Sequence, residues 1–266
     1  MSAVGLRTAG APPRFKIRGA RNAGFTVLGL VLGAALWQFI GDHTKESSFV
    51  PFTDTARALW HLTKDGELWH ALVSSLKLFG AGLGIAVVIG FFLGLLLARV
   101  PWLRIALEPY IAALYATPMV ALIPLILAII GFEFKAKLIV VVLFGIWPIL
   151  INTLEGARSV GAEMLEVARS YRTNEPKLWL HVIVPYTLPF TFTGIRQSIA
   201  RCLVGMIASE FLLSSSGLGN LIIINTQRFE TANVLASVLA MTLLATVLMA
   251  LGRAMENYFA SWKAGS

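Results

Sequence analysis

The sequence predicts an all-α membrane protein with six transmembrane helices. The 266 residues are 57% hydrophobic and only 14% charged, whereas about 25% of the residues of a soluble globular domain are charged. The uncharged residues are concentrated in six stretches, each near the roughly 20 residues that a helix needs to cross a bilayer. None of the stretches alternates polar and apolar residues as the strands of a membrane barrel do. Helices are therefore expected, because lipid cannot satisfy open backbone groups.

The six predicted spans are numbered in chain order. They cover residues 22–41, 78–98, 109–132, 138–154, 187–213 and 231–252. The third and fourth spans contain Pro118, Pro124 and Pro148, which predict kinks because proline removes a helical hydrogen bond. Such kinks either shape a translocation path or are merely tolerated, and the sequence leaves both open.

Small residues inside the spans predict close packing of helices. Gly80/Gly84 and Gly90/Gly94 are paired at the four-residue spacing that lets two membrane helices approach closely. Cys202 is the only cysteine, so no intrachain disulfide forms. We interpret Cys202 as a small buried hydrophobic residue.

Lysine and arginine predict the orientation, because they are enriched in cytoplasmic segments. With the N-terminus inside, thirteen lie in inner segments and six in outer ones. The inner ones are Arg7, Arg14, Lys16, Arg18, Arg21, Arg99, Arg104, Arg158, Arg169, Arg172, Lys177, Arg253 and Lys263, and the outer ones are Lys45, Arg57, Lys64, Lys135, Lys137 and Arg228. We expect an inner (plasma) membrane protein with two cytoplasmic termini, a basic tail at 1–21, a retained first span and a second tail at 255–266. The same placement makes membrane orientation, and not nucleic-acid binding, the explanation of the net charge of +8.

Two segments between the spans are amphipathic. The outer segment 42–71 carries Trp60 and Trp69 and predicts a short helix at the periplasmic membrane surface. The inner loop 155–186 repeats apolar residues at helical spacing, at Met164, Val167, Ala168 and Tyr171. A second helical turn starts near Asn174, with Pro176 in its first turn and an apolar face at Leu178, Trp179, Val182 and Ile183. This helical pair either fits a groove on a partner or packs back onto the spans, and periodicity does not decide between them.

The loop resembles the EAA loop of ABC-importer permeases. Glu166-Val167-Ala168 matches the opening Glu-Ala-Ala, and Val182-Ile183-Val184-Pro185 matches the closing Ile-x-Leu-Pro at the required distance. The segments 148–153, 194–196 and 216–219 are similar to the nitrate/sulfonate/taurine branch. The resemblance covers most of residues 50–260.

The resemblance implies that the loop docks in a cleft of a separate cytoplasmic ATPase and transmits its closure to the spans. The implied contact residues are Glu163, Glu166, Val167, Ala168, Arg169, Tyr171, Arg172, Pro176, Trp179 and Pro185. The family's glycine falls at Arg172, where a left-handed turn would end the helix. Either the turn is reshaped, which is our expectation, or Arg172 accepts strain of roughly 1–2 kcal/mol and contacts the partner.

The resemblance also implies the assembly and the mechanism. We expect a core transport domain at 72–254, a homodimer of permeases, two ATPase subunits and a soluble binding protein outside, working by alternating access. The sequence has no Gly-x-x-x-x-Gly-Lys-Ser/Thr phosphate loop, so ATP and magnesium are expected on the ATPase, and this chain is expected to be no enzyme and to hold no cofactor or metal. Substrates of the branch are small and often anionic, such as nitrate, sulfonates and taurine. Similar permeases import heterocyclic vitamin precursors.

Charges in the fifth span are candidates for the translocation path, because a charge inside the bilayer is expensive. Arg196 and Arg201 are candidates for contact with an anionic solute. For Arg196 the alternative is a position at the cytoplasmic edge, from which its side chain reaches water. Glu210 either lines the path or has a structural role, paired with a basic residue or capping a helix. An ion-driven secondary transporter would need intramembrane carboxylates, and Glu210 is the one candidate. A non-transporting scaffold is the second rival. A serine protease at Ser214–Ser216 lacks a histidine base in the span cores.

Overall fold

The structure is a computed structural model that describes residues 19–44, 49–132, 134–213 and 216–260. The predicted tail up to residue 18, Lys45, Ser214, Ser215 and Lys263 lie outside these ranges. Every regular element within them is helical, which confirms the all-α prediction. Five helices are long and apolar enough to cross a membrane, and a bent pair of shorter helices makes a sixth crossing if the pair counts as one span. The chain divides after Asp54 into two compact units.

The first unit is built on helix α1, Gly19–Asp42. Only 6% of its apolar segment is buried inside the protein, as expected for a helix that faces lipid. The indole N–H of Trp37 donates to the carbonyl oxygen of Val50 at 3.1 Å, and its ring meets Phe52 edge-on at 5.7 Å. These contacts fold the segment that follows α1 back against it.

The second unit begins within helix α2, Phe52–Lys64, which buries Thr55, Ala58 and Leu62 on one face. Helix α3, Glu67–Arg99, runs for 33 residues and so starts earlier than the predicted second span. Trp69 therefore lies in α3, while Trp60 lies on the exposed face of α2. The position of α2 at the membrane surface stays a prediction.

Three long helices, α3, α6 (Phe134–Arg158) and α9 (Val184–Leu213), form the core. A Cβ placed on Gly90 would lie 3.0 Å from the Ile146 carbonyl oxygen, and one on Gly94 would lie 2.9 Å from that of Leu150. This pair lets α3 lie against α6, as predicted. At Gly80 and Gly84 a Cβ would meet nothing within 4 Å, so no helix among the described residues packs there.

The predicted third span is broken. Helix α4, Pro101–Ala116, is followed by a 3₁₀ turn, Met119–Leu122, and by helix α5, Ile123–Ile130, and the two parts meet at 92°. Thr117 is extended (ψ 134°) because the ring of Pro118 disfavours the helical conformation of the residue before it. Pro124 is tolerated in the first turn of α5, whereas α6 continues through Pro148 as one helix. The predicted kink at Pro118 is thus a break.

The remaining helices complete the unit. Helix α7, Ala162–Ser170, and the short helix α8, Glu175–Leu178, lie between α6 and α9. A π-helical turn, Trp179–Ile183, joins α8 to α9. Helix α10, Leu218–Gln227, and helix α11, Thr231–Ala260, follow α9 and pack against it.

Candidate functional site

The helical loop between α6 and α9 has the form that the sequence predicts. Glu163 lies in the first turn of α7 and Arg169 in its last. The Asn174 side chain caps α8 by accepting the Lys177 amide at 3.2 Å, and Pro176 lies in the first turn. Pro185 has no N–H for the carbonyl of His181, and the backbone just before it forms the π-helical turn.

One side of this loop packs against the rest of the chain. Ala168, Leu178 and Ile183 are buried in one cluster with Ala157, and Leu95 and Ala98 of α3 lie against it. The Arg99 guanidinium at the end of α3 lies 3.5 Å from the Glu175 carboxylate and 5.2 Å from the centre of the Trp179 ring. The loop is therefore fastened to the ends of α3 and α6.

The other side of α7 is open. Met164 is 45% exposed, Val167 58% and Tyr171 83%. These three residues, called here the open face of α7, recur at helical spacing. Ala168 therefore packs back onto the chain, as one of the two alternatives predicts, while the open face of α7 points away from it. Docking of that face in a partner groove stays a prediction.

The turn after α7 keeps its left-handed residue although that residue is not glycine. Arg172 has φ 53°, its amide donates to the Arg169 carbonyl oxygen at 2.8 Å, and the Thr173 amide donates to that of Ala168 at 3.3 Å. This pair of hydrogen bonds is the Schellman motif that normally ends a helix at glycine. The expectation that the turn is reshaped is therefore wrong, because both hydrogen bonds form without moving the backbone.

Arg196 is paired within the chain. Its Nε lies 2.5 Å from a carboxylate oxygen of Glu256 in α11, and the Thr193 hydroxyl donates to the other oxygen at 2.9 Å. Beside them the rings of Phe192 and Phe259 stack at 3.8 Å. These contacts fasten the first half of α9 to the end of α11 and give Arg196 a structural partner.

Glu210 is 1% exposed and caps α10. The Ser75 hydroxyl donates to Oε1 of Glu210 at 2.7 Å, and the Gly219 amide donates to Oε2 at 2.9 Å. The Leu218 amide donates to the Ser75 hydroxyl oxygen at 2.9 Å. The first amides of α10 are thus satisfied by side chains of α3 and α9. This is the capping role that the sequence left open.

The surroundings of Glu210 leave no room for larger residues. Gly217 has φ 102°, and a Cβ there would overlap the Glu210 carboxylate. A Cβ on Gly219 would lie 2.6 Å from that of Glu210. Lys137, which is 7% exposed, acts electrostatically on the carboxylate from α6. Sequence reasoning missed Ser75, because a serine in an apolar stretch gives no signal of its own.

Arg201 contacts one residue of another helix. Its Nη2 donates to the Tyr115 hydroxyl oxygen at 2.8 Å, and the guanidinium carbon lies 4.5 Å from the centre of the Tyr115 ring. Tyr115 belongs to α4, a helix with no buried residue. The structure therefore separates the three predicted path residues: Arg196 and Glu210 are tied into the fold, and Arg201 faces the loosely packed helix.

Comparison with known proteins points to one family. Residues 86–264 match the model of a family described as binding-protein-dependent transport system inner membrane component. The chain is 33% identical over 209 residues to the riboflavin transport system permease protein RibX of Chloroflexus aurantiacus, covering 79% of this chain and 78% of that protein. It is 31% identical over 207 residues to the putative aliphatic sulfonates transport permease protein SsuC of Escherichia coli strain K12, covering 77% and 78%. A crystal structure of an amino acid ABC transporter with histidines shares the fold, with TM-score 0.60 and 18% identity, over 75% of this chain and 97% of that one.

Proposed function

We propose a transport function from one premise, that the chain belongs to the family of inner-membrane components of binding-protein-dependent transport systems. The resemblance to ABC-importer permeases drawn from the sequence is thereby confirmed. Members of this family are membrane-embedded transport subunits and not themselves enzymes, and such importers work with an ATPase and a binding protein. The proposal concerns how this chain is coupled and what it moves.

The loop 155–186 is the proposed contact with the ATPase subunit. The observation that carries this proposal is the open face of α7: Met164, Val167 and Tyr171 are exposed on a helix that the buried Ala168 holds to the protein. An amphipathic helix with one free apolar face fits a hydrophobic groove on a partner. Arg172, exposed at the end of this face, would lie at the rim of such a contact, whereas Glu166 is exposed on the same side of α7 as Ala162.

Closure of the ATPase would reach the membrane through α9. The segments α8, the π-helical turn and α9 follow one another without a break, so the loop and the fifth span move together. The buried cluster around Ala168 and Leu178 and the ion pair of Arg99 with Glu175 transmit the same motion to α3 and α6. A rigid element of this kind moves as a unit between discrete packings, which is the requirement of alternating access.

The assembly is proposed from the family and from the exposed helices. We expect a homodimer, two ATPase subunits on the side of loop 155–186, a binding protein on the opposite side, and both termini in the cytoplasm. Helix α4 buries none of its residues in this chain, and Trp102, Ile105 and Tyr110 are exposed. Lipid or a second copy of the chain would cover such an apolar surface.

The proposed solute is a small anion, such as a sulfonate, taurine or nitrate. The relative SsuC is named for aliphatic sulfonates, and Arg201 places a cation within a membrane-spanning helix. RibX is named for riboflavin, which supports a heterocyclic vitamin or its precursor as the alternative. An ion-driven transporter is disfavoured, because the Glu210 carboxylate is occupied by the Ser75 hydroxyl and the Gly219 amide.

Co-purification tests the coupling. The tagged chain is purified in mild detergent from its native host. The amount of ATPase subunit that co-purifies with it is measured on a gel and by ATP hydrolysis. Val167→Asp puts a carboxylate on the open face of α7, and Ala162→Asp puts the same group on an exposed position on the far side of that helix. We expect the parent and Ala162→Asp to retain the ATPase, and Val167→Asp to lose at least nine-tenths of it (about 1.4 kcal/mol or more) while eluting normally in gel filtration.

Two results would contradict the proposal. If no ATPase is retained from any membrane preparation, the chain is not a subunit of such an importer. If Val167→Asp retains as much ATPase as Ala162→Asp, the contact does not lie on the open face of α7. Solute uptake that persists without ATP and stops with an ionophore would favour the gradient-driven transporter.

A further inference from the structure

We propose that Arg201 is the residue that contacts the solute and selects an oxyanion, and that Tyr115 is a positioning residue for its guanidinium. This inference rests on the proposed transport function and deepens it by assigning its anion-contact residue. The ligand class is a small anion with two or more oxygens on one centre, because the planar fork of arginine matches such a group with two parallel hydrogen bonds.

Arg201 lies well inside a helix that is long and apolar enough to span the membrane. It is twelve residues before the end of α9 at Leu213, about 18 Å along the helix axis, and half the thickness of the hydrocarbon core is about 15 Å. A lipid headgroup at the bilayer surface is therefore a poor partner for this charge. An arginine at this depth faces the protein interior, a second subunit or a water-filled path.

Among the described residues, Arg201 has no carboxylate partner. Its recorded polar contact is one hydrogen bond to the Tyr115 hydroxyl. A guanidinium has five N–H donors, so four remain without an acceptor in the described part of the chain. Arg196, five positions earlier, shows the contrast, because it is paired with Glu256. The cost of a charge in the membrane is offset for Arg196 inside the chain, whereas for Arg201 an external anion would offset it.

The donors point away from the core of the chain. Ser198, Cys202 and Met206 bury one side of α9. Gln197, Arg201 and Val204 share the opposite stripe, and Gln197 and Val204 are exposed. Gln197 lies one turn before Arg201 and adds an amide to the same stripe. Two polar side chains on the outer face of a membrane-spanning helix indicate a polar path there and not contact with lipid.

Tyr115 holds the guanidinium from the other side of this path. Its hydroxyl accepts one N–H and its ring attracts the cation. Both contacts position the guanidinium without neutralising its charge. Since Tyr115 is two residues before the break at Thr117, the contact also ties Arg201 to the end of α4.

The test measures anion binding to the complex of this chain with its ATPase, purified from native membranes and placed in nanodiscs. The probes are ethanesulfonate, nitrate and bicarbonate at constant ionic strength, with ethyl methyl sulfone as the uncharged analogue. The readout is the rise of the unfolding temperature with ligand concentration, since a ligand that binds the folded state stabilises it. The variants are Arg201→Gln, Arg201→Lys, Tyr115→Phe and the control Arg196→Gln.

We expect at least one of the three anions, and not the sulfone, to raise the unfolding temperature of the parent complex. Arg201→Gln should weaken its apparent affinity by roughly tenfold to a hundredfold, as expected for losing a charge-assisted contact, and Arg201→Lys should restore part of it. Tyr115→Phe should weaken affinity by less. Arg196→Gln should lower the unfolding temperature without ligand but keep the anion-dependent rise.

The proposal is overturned if no anion stabilises the parent complex or if Arg201→Gln responds as the parent does. If Arg201→Gln does not fold, Arg201→Lys and Tyr115→Phe provide the test. Anion affinities unchanged from the parent in both variants would overturn the proposal. Failure of the transport function itself is read separately, as loss of the ATPase from the purified complex.

Discussion

The hydroxyl of Ser75 donates a hydrogen bond to the carboxylate of Glu210 at 2.7 Å, although 135 positions separate the two residues in the chain. The same carboxylate also accepts a hydrogen bond from the Gly219 amide, and the Ser75 hydroxyl oxygen accepts one from the Leu218 amide. One buried acid thus joins α3, α9 and the start of α10. The stability of this end of the protein should depend on it more than on any exposed charge pair.

Replacing Glu210 should be strongly destabilising. Glu210→Ala removes the acceptor of two buried donors, the Ser75 hydroxyl and the Gly219 amide, and we expect a loss of about 2–5 kcal/mol in the free energy of unfolding. The control is Ser74→Ala, which removes a half-buried hydrogen bond to Ser216 and should cost about 1 kcal/mol or less. Denaturant unfolding in detergent measures both. Equal losses for the two variants would show that the cap contributes little.

Gly217 packs against the Glu210 carboxylate, and Gly131 has a similar backbone conformation without that contact, so the two glycines can be compared. Both have extended ψ angles with φ near 100°, a conformation that side chains rarely adopt. A Cβ on Gly217 would overlap Glu210, whereas one on Gly131 would meet nothing within 4 Å. Gly131→Ala should cost about 1–3 kcal/mol of backbone strain, and Gly217→Ala should cost clearly more. A Gly217→Ala variant no less stable than Gly131→Ala would contradict the packing described here.

The sequence predicts the spans and the helical loop well, because both depend on local patterns. Long uncharged runs fix where helices cross, and the spacing of Met164, Val167 and Ala168 fixes a helix between two of them. Proline disfavours a helical conformation of the residue before it at either site, but whether the helix breaks also depends on packing. The helix breaks at Pro118, whereas α6 continues through Pro148, whose neighbour Ile149 is fully buried. Packing around each proline decides the outcome, and one sequence does not reveal it.

The partners of the charged residues were beyond sequence reasoning for a different reason. Arg196 with Glu256, Arg201 with Tyr115 and Glu210 with Ser75 are pairs formed between distant parts of the chain. In the sequence, each charged residue stands out because its neighbours are apolar, and this correctly marks it as a residue with a specific role. Which of them is neutralised inside the protein follows only from the helix packing.

Arg172→Gly should stabilise the protein and leave the ATPase contact intact. The left-handed backbone at Arg172 costs a side-chain-bearing residue about 1–2 kcal/mol, which glycine avoids. Phe229 is the control, because it has φ 59°, ends α10 with the same pair of hydrogen bonds and is 92% exposed. Phe229→Gly should give a similar gain in unfolding free energy. A loss of retained ATPase with Arg172→Gly alone would show that the arginine side chain itself contacts the partner.

Cys202 offers a direct measure of opening of the core. It is fully buried, as the sequence predicts, and it is the only thiol, so maleimide labelling of the native protein should be slow and should follow unfolding. A Cβ on Gly145 would overlap the Cys202 sulfur, whereas one on Gly80 would meet nothing within 4 Å. Alanine is the better helix former by about 1 kcal/mol, so Gly80→Ala should slow labelling or leave it unchanged. Gly145→Ala should accelerate labelling about fivefold or more, because overpacking typically costs about 1–3 kcal/mol. Equal labelling rates in the two variants would mean that α6 and α9 do not approach each other as closely as these residues require.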